Sequence, residues 1–100
     1  KDMRFGTSTS GGKISFLSGN NTYAMTIDAS QKVGIGITSP DGTLHVHSGT
    51  AGAITPDKNS ADLIVESAGS GGISILTPNA NRSKLTFGSP SDGTGAKIDW

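Results

Sequence analysis

The sequence predicts an all-β chain of short strands and tight turns, elongated in form, whose core other chains complete. Three observations predict it. Ser (14), Thr (11), Gly (15) and Asn (5) make up 45 of the 100 residues, while Leu, Ile, Val and Phe together make 20, which is the lower edge of what a packed domain needs. The apolar residues nevertheless alternate with polar ones at period two. The chain also matches itself at an offset of 60 residues.

Composition bears on assembly. A 100-residue monomer with so few core-forming side chains buries too little apolar surface to offset the conformational entropy of folding. Either the chain is a disordered Gly/Ser linker or copies of it share a core. A linker needs no apolar pattern, and the pattern here is regular.

Tyr23, Met25 and Ile27 alternate with Thr22, Ala24, Thr26 and Asp28. Val33, Ile35 and Ile37 alternate with Lys32, Gly34 and Gly36, so each stretch presents one apolar face as a strand does. Lys13 to Leu17, Thr43 to His47, Asp62 to Ser67, Gly72 to Leu76, Ser83 to Phe87 and Ala96 to Trp100 read the same way between Gly, Asn, Pro and Ser clusters. Eight or nine strands are expected. Gly19-Asn20-Asn21, Ser39-Pro40-Asp41-Gly42 and Asp92-Gly93 are turns, since Asn and Gly tolerate positive φ, Pro fixes φ and Asp bonds nearby amides. Asp57 to Ala68 is long enough for a helix and free of Gly and Pro, but its Leu63-Ile64-Val65 run favours a strand.

The internal match begins with Asp2-Met3-Arg4-Phe5 against Asp62-Leu63-Ile64-Val65. It continues with Ser10-Gly11-Gly12 against Ser70-Gly71-Gly72, Ile14-Ser15-Phe16-Leu17 against Ile73-Ser74-Ile75-Leu76, and Met25-Thr26-Ile27 against Leu85-Thr86-Phe87. The expected organisation is therefore a first β copy over 1–31, a central segment over 32–47, a loop or linker over 48–60, and a second β copy over 61–100 that stops short. Short repeated strands suit an elongated array whose units pack on their neighbours. The chain starts on Lys1 rather than Met and ends on Trp100 in a strand-like stretch, so a piece of a longer protein is expected.

Function classes drop out in turn. There is no Cys, which excludes thiolate metal sites and Cys nucleophiles. Eight Lys and Arg balance eight Asp and Glu, and they are scattered, without the basic stripe that nucleic acid calls for. No stretch approaches the roughly 18 apolar residues of a membrane helix.

Val33-Gly34-Ile35-Gly36-Ile37-Thr38-Ser39-Pro40, followed by Asp41-Gly42-Thr43-Leu44-His45-Val46, is the most specific motif. It resembles the "VGIGTTSP…LHV" stalk signature of bacteriophage tail fibres and tailspikes. The preceding Tyr23-Ala24-Met25-Thr26-Ile27-Asp28-Ala29-Ser30-Gln31-Lys32 is similar to that family's lead-in, with Gln31-Lys32 where Gly-Asn or similar is usual and Ile37 where Thr is usual. The resemblance spans about 25 residues. It implies an all-β, elongated homotrimeric fibre segment, β-prism or triple-β-helix-like or made of small intertwined β-sandwiches, on a virion, often upstream of a self-cleaving chaperone. Independently of the family, Gly34 and Gly36 leave side-chain-free positions on one strand face, which are expected to admit the close approach of another backbone near a three-chain axis.

No catalytic or cofactor-binding residue is expected. Gly34-x-Gly36 lacks the third Gly and the helix of a dinucleotide fingerprint. Ser, His and Asp occur without a nucleophile elbow, and lone Glu66 with seven scattered Asp offers no distinctive carboxylate pair. His45-Val46-His47 places two imidazoles on one face, and three chains would bring six to an axis, enough for an octahedral metal. Leu44 and Val46 are the apolar pair, however, and are expected inward with both His in water, so no metal site is assigned.

The expected role is structural support of host attachment, without enzymatic activity. Expected partners are two further copies, other virion proteins and, through adjacent domains, a host surface glycan or protein receptor. The alternative is a glycan- or receptor-binding β module of a phage or bacterial surface adhesin. Such a module usually stacks sugars on Trp or Tyr, and the chain has only Tyr23 and Trp100. Tyr23 is expected in the core.

Overall fold

The structure is a computed structural model and describes residues 3–100. Lys1 and Asp2, the latter opening the first copy of the internal match, lie outside the described residues. The described residues contain no helix. Strands β1 (Ile14–Ser18), β2 (Thr22–Ile27), β3 (Val33–Ile35), β4 (Leu44–His47) and β5 (Leu63–Glu66) form one sheet in chain order, and β6 (Lys84–Ser89) pairs with β7 (Asp92–Asp99) in a second. The chain is all-β.

The first two turns are built from residues that accept left-handed backbone. Gly19, Asn20 and Asn21 stand at φ 52, 64 and 62°, and Thr22 Oγ1 donates to the Gly19 carbonyl at 2.9 Å, closing the β1–β2 hairpin. Between β2 and β3 the Asp28 carboxylate accepts the Ser30 and Lys32 amides, both at 2.9 Å. Gln31 sits at φ 62° in this turn, a conformation that disfavours any residue with a Cβ.

β3, β4 and β5 run parallel. The β3–β4 crossover uses only residues 36–43, shorter than the dozen or so that parallel strands usually need. Gly36, at φ 77°, makes the reversal, and a Cβ there would collide with the His47 carbonyl. A Cβ on Gly34 would collide with the Ile37 carbonyl. The backbone expected to approach this glycine pair is thus the chain's own, folded back over its sheet.

Register divides the sheet into unlike faces. Ile14, Ile27, Val33, Leu44 and Leu63 stand side by side in one row. Phe16, Met25, Ile35, Val46 and Val65 form a second row on the same face. Ser15, Thr26, Gly34, His45 and Ile64 lie between these rows on the opposite face, as alternation requires. The residues buried to 1% exposure or less are Thr26 and His45, and among the described residues no hydrophobic side chain is buried. Leu44 and Val46, expected inward, are each 37% exposed, and Phe16 and Leu63 are 52% exposed.

Two elements differ from the sequence reading. Gly72 to Leu76 has strand alternation but joins neither sheet; Ser83 Oγ donates to the Ile75 carbonyl at 2.8 Å, but no strand edge of the described residues pairs with the segment, and a strand needs a partner edge. The last hairpin turns at Pro90-Ser91, and Asp92-Gly93 begins β7 with Ser89 opposite Asp92. Pro90 fixes φ at the turn's second position, leaving Asp92 to accept the Thr94 amide at 2.9 Å. The internal match is reproduced unevenly, since Met25–Ile27 and Leu85–Phe87 lie in β2 and β6 while Ile14–Leu17 lies in β1 and Ile73–Leu76 in no strand.

The β6–β7 hairpin, with Leu85 opposite Ile98 and Phe87 opposite Ala96, touches no strand of the larger sheet and also leaves its apolar side open. The 10.1 kDa chain exposes 8123 Å², whereas a folded monomer of that mass exposes about 5,300 Å². Its radius of gyration is 17.0 Å, against about 13 Å for a close-packed domain of this length.

Candidate functional site

Two features of the five-stranded sheet stand out, one on each face. On the covered face, the parallel β4–β5 register sets His45 beside Ile64 and His47 beside Glu66. The crossovers fold onto this face and meet the cluster. Asp41 N–H donates to His45 Nδ1 at 3.2 Å, and His45 Nε2 lies 2.9 Å from Glu66 Oε2. With Nδ1 accepting, the neutral ring carries its proton on Nε2 and donates it to the carboxylate. Glu66 Oε1 accepts the Ala51 amide at 2.9 Å, so one glutamate ties β5 both to β4 and to the connection after it.

The Ala51 N–H is the main reason the Glu66 carboxyl is held below the usual carboxylate range, helped by the His45 hydrogen bond and opposed by partial desolvation. His47, half-buried, reaches Thr50 Oγ1 at 3.3 Å and Glu66 Oε2 at 3.8 Å, both through Nε2. A proton relay needs a proton-exchanging partner on each ring nitrogen: His47 meets both its partners through Nε2, and the partner on His45 Nδ1 is the Asp41 backbone amide, which takes up no proton. The His45 lone pair not carrying the proton is already taken by Asp41, and among the described residues no group of three or more His, Cys, Asp or Glu side chains is arranged to hold an ion.

Sequence reasoning set His45 and His47 on one face, as found, but assigned that face to water. His45 is fully buried. Glu66 was noted only as the lone glutamate. Its place on the face that carries His47 is legible once parallel register is known, and alternation alone does not give register.

On the other face lie the two apolar rows, free of charged or polar side chains. On the His45 side, a groove of about 600 Å³ runs beside β5, where Asp41, Ala51, Ile64 and Glu66 line it together with Ile54, Pro56 and Ile73. Tyr23, expected in the core, is half exposed on β2, and Trp100, just beyond β7, is almost wholly exposed. They belong to different sheets, so no common strand surface brings them together. No family model, curated protein or solved structure matches this chain.

Proposed function

We propose that the chain is a structural segment of a phage fibre or tailspike, a homotrimer that supports host attachment from the virion surface and catalyses no reaction. The Val33 to Val46 motif supports the family. The observation that carries the assembly is the excess of exposed surface, about 2,800 Å² more than a folded monomer of this mass shows, with apolar side chains exposed both on the strands and between them. Its work is mechanical, spacing and stiffening an appendage that joins other virion proteins to a receptor-contacting element. If copies complete one another's core, thermal stability rises with chain concentration. A reversible melting temperature that does not move over a hundredfold range of concentration contradicts the proposal.

A second reading, a glycan- or receptor-binding module, draws on the exposure of Trp100 and Tyr23, since sugar sites stack on open aromatic rings. Binding to a surface-glycan array that is lost in Trp100→Ala supports that reading. Binding unchanged by Trp100→Ala and Tyr23→Ala rejects aromatic stacking as its basis.

A further inference from the structure

We infer that the segment from Ile73 to Thr77 is a strap that closes onto the outer edge of β6, with Thr77 opposite Ser83, Ile75 opposite Leu85 and Ile73 opposite Phe87. Closure turns the β6–β7 hairpin into a three-stranded sheet. It concerns a single chain and does not depend on the trimeric reading.

The strap is already held at one end. Asn81 N–H donates to the Pro78 carbonyl at 2.8 Å, which closes a turn over residues 78–81 and sends the chain back on itself. Beside that turn Thr77 Oγ1 and Ser83 Oγ lie 3.1 Å apart, and Ser83 Oγ donates to the Ile75 carbonyl at 2.8 Å. Thr77 and Ser83 thus face each other as the first cross-strand pair of a hairpin does, although the strap itself joins no sheet.

The edge in front of it is free. Ser83 and Trp100 exchange both backbone bonds, at 3.1 and 3.0 Å, so Ser83, Leu85 and Phe87 turn their N–H and C=O toward β7. Lys84 and Thr86 turn theirs the other way, where among the described residues no strand takes them. An antiparallel pairing that begins with Thr77 against Ser83 continues with Ile75 against Leu85 and Ile73 against Phe87.

Two further facts give the same register. In the internal match Ile14-Ser15-Phe16 corresponds to Ile73-Ser74-Ile75 and Met25-Thr26-Ile27 to Leu85-Thr86-Phe87. In the larger sheet Ile14 stands opposite Ile27 and Phe16 opposite Met25, and the equivalent pairs are Ile73 with Phe87 and Ile75 with Leu85. The faces agree as well. Since β7 sets Ile98 beside Leu85 and Ala96 beside Phe87, closure aligns Ile75, Leu85 and Ile98 in one apolar row and Ile73, Phe87 and Ala96 in a second. A slip of one residue would put Ser74 or Leu76 in the place of Ile75 and turn the strap's isoleucines to the opposite face.

A two-stranded hairpin is marginal in water, and a third strand is what lets such a sheet hold. Closure also covers unpaired N–H and C=O groups that would otherwise accept a strand from another chain. The strap is therefore a gate on the β6 edge.

Amide exchange in the whole chain reads the gate. Leu85 N–H is bonded by β7, whereas Thr86 N–H is bonded only when the strap is closed, so the Thr86 amide is expected to exchange at least tenfold more slowly than in an unstructured peptide. Ser74→Pro removes the N–H that would face Thr86 and is expected to abolish the Thr86 protection while Leu85 keeps its own. A Thr86 amide that exchanges at the free-peptide rate overturns the inference, whatever Leu85 does. The chain has no Cys, so paired cysteines report register. Ile75→Cys with Leu85→Cys is expected to oxidise to an intrachain disulfide at least tenfold faster than Leu76→Cys with Leu85→Cys, whose side chains fall on opposite faces. Equal rates, or a bond formed between chains instead of within one, overturn it too.

Discussion

His45 occupies the most protected position of the described chain, where a globular domain would place a leucine. It keeps that position because both ring nitrogens are used, one by the Asp41 amide and one by the Glu66 carboxylate, and a buried polar group so satisfied carries little penalty. His45→Ala opens a cavity and strands the Asp41 N–H, so a loss of about 3 kcal/mol is expected, against under about 1 kcal/mol for His47→Ala at the rim. Denaturant midpoints of the two variants check the order. Glu66→Gln is nearly isosteric but puts an amide donor against the His45 Nε2–H, and the ring cannot change tautomer without confronting the Asp41 N–H. A lower melting temperature at neutral pH is expected.

The same carboxylate sets an acid limit. Its folded pKa lies below the ordinary value of 4.5, so the folded state binds this proton less readily than the unfolded one. The stability it confers is fully present above 4.5 and is lost as pH falls through the lower folded value. Melting curves should therefore decline below about pH 4.5, and the Glu66→Gln variant should show a flatter decline over that window. Identical pH profiles would place the acid sensitivity elsewhere.

At the scale of elements, strands were legible wherever alternation was backed by a turn with its own chemistry. The β1–β2 hairpin follows from Gly19-Asn20-Asn21, and the β2–β3 turn from Asp28. Parallel pairing among β3, β4 and β5 was not legible, because alternation states which residues share a face and not which strand lies alongside. That gap explains the inverted reading of β4. Two apolar residues on a strand were taken to face the core, but the connections cover the other side. Gly72 to Leu76 was misread for a related reason, since its pattern fits a strand that no described strand edge pairs with. Gln31, where the resembling family usually has Gly, holds φ 62°. Relieving a left-handed residue of its Cβ is worth about 1 kcal/mol after the added freedom of the unfolded chain. Gln31→Gly is expected to raise the unfolding midpoint by that amount. A variant less stable than the wild type would show that the Gln31 side chain contributes more than its backbone costs.

The whole molecule has faces without a core. Its sheets are correctly patterned and hydrogen-bonded, yet among the described residues no aliphatic side chain other than Pro40, and no Phe, Tyr or Trp, is buried, and the chain is larger in radius than its length requires. Composition announced this, since 20 core-forming residues in 100 cannot enclose an interior within one chain, and period-two patterning argued against plain disorder. The measurement that bears most directly on this account is the mass of the chain in solution by sedimentation equilibrium. The account predicts three times the 10.1 kDa chain mass, held to the lowest concentration at which the chain stays folded. A cooperatively folded species at the mass of one chain would contradict it.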